Sequence, residues 1–108
     1  MASQPTPPPP SELRAFAPKL ADLTEDVLFG DVWERPGLSK RDRSLITCAV
    51  LTALYRPMQL PNHLIRAINN GLTKAELSEM ITHVAFYAGW PSSVSAATIA
   101  ADVLKDVE

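Results

Sequence analysis

The sequence predicts an all-α fold of about five to six helices, and three observations predict it. Apolar residues recur at the spacing of a helical face through most of the 108 residues, and β-branched residues never alternate with polar ones over a useful length. Glycine and proline sit where helices should stop and start: Gly71 and Gly89 as C-terminal stops, Pro61 and Pro91 in first turns. The run Thr73-Lys74-Ala75-Glu76 is a capping box, a pattern that opens helices and no other element.

Taken in order, residues 1–10 (MASQPTPPPP) are a proline-rich tail, extended and without a packed core. It reads as a flexible terminus or as a ligand for a partner's aromatic groove. Residues 11–108 form the helical domain. Leu20, Leu23, Val27 and Leu28 have helical spacing, and Pro18 places the helix start near itself. The segment Phe29 to Leu38 holds two glycines and a proline and reads as a structured loop. Phe29 and Trp33 on that loop need burial, either as a plug over the core or a subunit interface, or as one wall of a pocket.

Ser39 is the N-cap of the next helix, with Asp42 completing a capping-box-like pattern. From Leu45 to Tyr55 nearly every residue is apolar or small. A helix apolar all round is expected to be buried all round, here as the central helix with one flank toward a neighbouring subunit. Arg56-Pro57 ends it. Met58 to Asn70 forms the next helix, with Leu60, Leu64, Ala67 and Ile68 on one face and His63 one step round, at the edge of the core. Thr73 to Ala88 is a longer amphipathic helix with Leu77, Met80, Ile81, Val84 and Ala88 inward. On another side stand Glu76, Glu79 and His83. A carboxylate four residues before a histidine orients the ring and raises its pKa, whereas on a solvated face the same spacing carries no function. The last helix, from Trp90-Pro91, has two apolar stripes: Val94, Ala97, Ala101 and Leu104, and Ala96, Ile99, Ala100, Val103 and Val107.

Composition narrows the function. With 46% hydrophobic residues the chain is not disordered, and a net charge of −2 with scattered basic residues leaves no nucleic-acid footprint. No run approaches the roughly 20 apolar residues of a membrane span, and the start lacks a signal peptide's basic and apolar regions, so the reading is a soluble cytoplasmic protein. The single cysteine, Cys48, precludes an internal disulfide, and no Cys/His cluster suggests a metal. Cys48 reads as a small buried hydrophobe, since a nucleophile needs a lowered pKa and access. No phosphate loop or dinucleotide fingerprint is present. Two histidines, several arginines (Arg35, Arg41, Arg43, Arg56, Arg66) and aromatic rings remain, a set that suits binding a small anion and moving a proton. His63 is either an acid/base residue or a histidine bonded to a backbone carbonyl. The apolar faces outnumber what a monomer of this size covers easily, which argues for an oligomer.

The ordered set Gly30-Asp31-Val32-Trp33, Arg35-Pro36-Gly37-Leu38, Arg43-Ser44-Leu45, His63-Leu64, Asn69-Asn70-Gly71, Thr73, Glu76-Leu77, His83, Tyr87-Ala88-Gly89 and Pro91 resembles the carboxymuconolactone decarboxylase family over about residues 17 to 107. The resemblance implies the alkyl hydroperoxidase D-like all-helical fold, assembly as homo-oligomeric trimers or hexamers, and a site between helices near a subunit interface. A second branch of that superfamily reduces peroxides through a Glu-x11-Cys-x2-Cys-x3-His motif. Counted back from His63, its thiol positions hold Gln59 and Arg56 here and its glutamate position holds Ser44, so the disulfide-cycling chemistry has no electron carrier.

The decarboxylase branch implies loss of CO2 from 4-carboxymuconolactone in aromatic-compound breakdown through the β-ketoadipate route. No cofactor is needed, because the unsaturated lactone is its own electron sink. The resemblance assigns His63 as general acid or oxyanion donor and His83 as the second proton-handling or binding group. Arg43 and Arg56 become candidates for holding carboxylates, and Trp33 and Tyr87 for apolar walls that desolvate the departing carboxylate. The alternatives are a relative with peroxidase or isomerase activity, and a non-enzymatic oligomeric module whose tail recruits a partner.

Overall fold

The structure is a computed structural model and describes residues 11–108; the proline-rich stretch 1–10 lies outside the described residues. All regular elements among them are helical. They fall into two compact units, divided after Lys40.

The first unit opens with α1 (Ser11–Phe16) and α2 (Pro18–Leu23), the latter with Pro18 in its first turn, where a missing N–H costs nothing. Arg14 ties them together, donating to Asp22 and Glu25 at 3.0 Å each. α2 then widens into a π-helical turn, Thr24–Phe29, which the spacing did not foretell. Its end demands glycine: a Cβ on Gly30 would lie 2.7 Å from the Asp26 carbonyl oxygen and 2.8 Å from that of Glu25. The expected loop holds one short 3₁₀ turn, Val32–Glu34. Phe29 and Trp33 are both buried, their rings 5.8 Å apart.

The second unit contains α3 (Lys40–Ala53), α4 (Leu60–Asn69), α5 (Lys74–Ala88) and α6 (Trp90–Val103). α5 lies along α6, and α4 packs on α6 as well. Cys48, Leu60, Leu64, Ala67, Leu72, Leu77, Met80, Ile81, Ala96 and Leu104 form one continuous core. Each fully buried leucine in it is worth about 1.5–3 kcal/mol in removed apolar surface. At the start of α5 the capping box closes as the sequence predicts, Glu76 N–H donating to Thr73 Oγ1 at 3.1 Å and Thr73 N–H to Glu76 Oε1 at 3.0 Å. Arg41 of α3 also donates to Glu76. Gly89, at φ 106°, ends α5 and turns the chain directly into α6.

α3 departs from the expectation of burial all round. Ser44, Cys48 and Thr52 are buried, whereas Ile46, Val50 and Leu54 on the opposite side are 51%, 47% and 56% exposed. The buried side is the one that Ser44 and Cys48 fasten to α4. The helix also stops at Ala53, short of Arg56-Pro57. Its end is a Schellman motif, with Tyr55 N–H donating to the Thr52 carbonyl at 3.2 Å and Arg56 N–H to that of Leu51 at 2.9 Å. That motif puts Tyr55 at φ 55°, a conformation glycine adopts freely and a tyrosine does not. Tyr55→Gly is therefore expected to raise stability by about 1 kcal/mol, read as a higher urea midpoint. The same motif closes α4, with Gly71 at the left-handed position.

Among the described residues no helix is long and apolar enough to cross a membrane.

Candidate functional site

The phase of α4 is set by Leu60, Leu64 and Ala67, which are buried. His63, Arg66 and Asn70 follow one another at i, i+3 and i+7 along the adjoining flank, and all three are half-buried. Two side-chain hydrogen bonds fasten this helix to α3. Near its start the Cys48 thiol donates to the His63 carbonyl at 3.4 Å, and at its end Asn70 Nδ2 donates to the buried Ser44 Oγ at 2.9 Å. The His63 ring thus stands at the edge of the core on a helix anchored at both ends.

Burial pushes the His63 imidazole below its ordinary value of 6.5, and the positive charge of Arg66 pushes it the same way. The ring is neutral at neutral pH. Its folded-state pKa lies below the unfolded one, so its contribution to stability is present above about pH 6.5 and is lost as the pH falls through the folded value. Urea midpoints are expected to drop between pH 7 and 5 for the native chain, and to drop less for His63→Gln. Glu76 is held below the ordinary carboxylate range, chiefly by the Thr73 N–H, and its loss belongs to more acid pH.

Cys48 is fully buried, and desolvation pushes its thiol up to about 12. It stays an S–H donor and provides no thiolate for nucleophilic or redox work. A thiol reagent is expected to leave the native chain unmodified and to label one cysteine on unfolding; prompt labelling at native conditions would contradict this.

His83 and Tyr87 stand one turn apart on α5, their ring centroids 5.0 Å apart, and both are exposed. With Ala49, Val50 and Ala53 of α3 they line an open apolar groove of about 390 Å³. Among the described residues His83 makes its ring contact with Tyr87, four residues on, and no hydrogen bond joins it to Glu79. A second groove, of about 220 Å³, runs between α5 and α6 past Lys74, Ser78 and Ala97. His63 lines neither groove. The structure therefore brings His83 and Tyr87 together and sets His63 on a different helix flank.

Of the remaining candidates, Arg43 is half-buried on α3, next to Ser44. Arg56 is exposed and turned back on its own chain, its Nη1 donating to the Leu54 carbonyl at 2.9 Å, where it helps close α3. Trp33 belongs to the first unit. Arg66, one of the arginines the sequence offers for an anion but without a role of its own there, stands three residues from His63, a spacing that puts the two on one helix face. Among the described residues no cluster of His, Cys, Asp and Glu has the makings of a metal site.

The model of the carboxymuconolactone decarboxylase family matches residues 18–102. The chain is 51% identical over 79 residues to the 4-carboxymuconolactone decarboxylase of Acinetobacter baylyi, covering 73% of this chain and 59% of that protein. It is 35% identical over 86 residues to the nitrosuccinic acid decarboxylase npaB of Metarhizium robertsii, covering 80% of this chain and 60% of that one. An uncharacterized 15.0 kDa protein of Paracoccus denitrificans is 32% identical over 101 residues, covering 88% of this chain and 75% of its own. The chain thus spans about three-fifths of the length of the two decarboxylases it matches.

Proposed function

The chain belongs to the carboxymuconolactone decarboxylase family, and from that premise we propose that it is a cofactor-independent carboxy-lyase acting on a small anionic lactone of the 4-carboxymuconolactone type. The observation that carries the reading is His63, a half-buried imidazole kept neutral on a helix that two hydrogen bonds fix to its neighbour. The names of two relatives supply the reaction class.

The chemistry asks for what that residue offers. The bond between the carboxylate carbon and the ring breaks, and CO2 leaves. The electron pair moves through the unsaturated lactone to its carbonyl oxygen, and a proton then adds to carbon. The developing oxyanion is the high-energy feature, and a fixed hydrogen-bond donor in a partly dry site stabilises it more than water does. A neutral imidazole donates its N–H there without first having to lose a charge. Of the two roles open to His63, burial and the neighbouring Arg66 charge favour that of oxyanion donor. His83 is the second proton-handling group in this reading. Tyr87 is its apolar wall, and Arg43 its cation.

Nitrosuccinic acid poses the same electronic problem, because a carboxylate next to a nitro-bearing carbon also leaves its electrons on oxygen. Purified protein is expected to release CO2 from 4-carboxymuconolactone, with nitrosuccinate assayed in parallel as the competing substrate. CO2 release from neither acid would remove the decarboxylase reading. The assembly proposed with it is a homo-oligomer, a trimer or hexamer. Exposed Ile46, Val50 and Leu54 on α3, and Phe86 and Tyr87 on α5, are the apolar surface that such contacts would cover.

A further inference from the structure

α4 carries a single charged side chain, Arg66, in the sequence Leu60-Pro61-Asn62-His63-Leu64-Ile65-Arg66-Ala67-Ile68-Asn69. Residues three apart on a helix have Cβ atoms about 5–6 Å apart, close enough for imidazole and guanidinium to touch one small anion together. We propose that Arg66 holds a substrate carboxylate beside His63, a part for which the family resemblance offers Arg43 and Arg56 as candidates. The proposal rests on the reading of His63 given above.

Three observations support it. Arg66 is half-buried on the same flank as His63, and a cation partly withdrawn from water gains more from an anionic partner than an exposed one. A guanidinium also presents paired N–H groups that match a carboxylate in two hydrogen bonds, which fixes orientation as well as charge. Arg56 is exposed, and its Nη1 donates to the Leu54 carbonyl. Finally, the flank is held in place: Asn70, the next residue on it, is bonded to buried Ser44, so Arg66 stands between two fixed points. On its own helix the charge acting on His63 is Arg66, and from α3 the protonated Cys48 thiol reaches the His63 carbonyl. A cation at position 66 disfavours imidazolium at position 63. An anion bound at Arg66 offsets that effect, and by linkage its binding and the protonation of His63 favour each other.

The test uses the full chain and succinate as a dicarboxylate probe, with the C2–H resonance of His63 followed by NMR as a function of pH. In the native chain succinate is expected to raise the His63 midpoint. In Arg66→Gln the midpoint is expected to be already raised without succinate, and succinate affinity to fall at least tenfold. Arg66→Lys keeps the charge and the stem and is expected to recover part of the response; it also serves if Arg66→Gln fails to fold. Lys105→Gln, on the far end of the chain, is expected to respond as the native chain does. An absent succinate response in the native chain, an unchanged response in Arg66→Gln, or a response lost in Arg56→Gln and kept in Arg66→Gln would each overturn the assignment. Turnover separates this inference from the function it rests on. Arg66→Gln is expected to raise KM at least tenfold with kcat within about threefold. A normal KM in a working Arg66→Gln variant sinks the assignment alone. Absence of any CO2 release with the succinate response intact sinks the decarboxylase reading and leaves Arg66 an anion-binding residue.

Discussion

His63→Ala is expected to lower kcat for CO2 release from 4-carboxymuconolactone by about 10²–10⁴-fold, the range a positioned proton-handling or oxyanion-donating group supplies. The loss should fall on kcat with KM little changed, because a donor aimed at the developing oxyanion acts in the transition state more than in the bound acid. Folding should survive, since the ring is half-buried at the edge of the core and the residues beneath it, Leu60, Leu64 and Ala67, remain. The pH profile adds a check with a definite sign. Burial and Arg66 lower the imidazole pKa, so the neutral donor persists into mildly acid solution and the rate should fall only on an acid limb below pH 6.5. A general acid in its cationic form would show the reverse, with activity fading as the pH rises. His63→Gln, which keeps an N–H donor but cannot titrate, should retain more activity than alanine and lose that acid limb. Equal rates in His63→Ala and the native chain would remove His63 from the chemistry, whatever the substrate.

The parts of the fold that could be read from the sequence are those written in local chemistry. α5 begins where Thr73 and Glu76 satisfy each other's backbone donors and ends where Gly89 takes a conformation barred to other residues. α4 ends at Gly71 for the same reason. The parts that could not be read depend on what lies across a helix. In α3 an unbroken apolar run carries no phase, and the side turned to the core holds Ser44, Cys48 and Thr52 rather than the larger Ile46, Val50 and Leu54. The small residues go inward because α3 and α4 are joined there by side-chain hydrogen bonds, for which Ser44 and Cys48 are fitted. Nor does any residue type announce a π-helical turn at Thr24–Phe29, or a tyrosine in place of glycine at the end of α3.

The site divides along the same line. Register alone puts His63 at the core edge, and the same register puts Arg66 beside it. No register tells that Arg56 folds back on the carbonyl of Leu54, or that the ring of His83 meets Tyr87 ahead of it rather than Glu79 behind. Helix spacing names the residues that share a face; which of two neighbours on that face a side chain chooses is decided by rotamers and packing.

Leu64→Ala is expected to produce the largest loss of stability, about 2–5 kcal/mol. Leu64 is 0% exposed and sits in the core between its helix neighbours Leu60 and Ala67, so the methyls removed leave a void that a helix tied to α3 at both ends cannot collapse to fill. Against a total of roughly 5–15 kcal/mol for a domain of this size, that is a large share, visible as a fall of many degrees in Tm. Leu64→Met keeps the volume and should cost less than about 1.5 kcal/mol. Ile65 is the informative contrast: it follows Leu64 directly yet is 45% exposed, so in an isolated chain Ile65→Ala should change stability by no more than about 0.5 kcal/mol. A much larger cost at Ile65, growing with protein concentration, would mean that a second copy covers that face, since stability gained through association depends on concentration and stability gained within one chain does not. The adjacent pair Leu64 and Ile65 thus measures, in one experiment, how much of this small domain's stability lies in its own core and how much in its assembly.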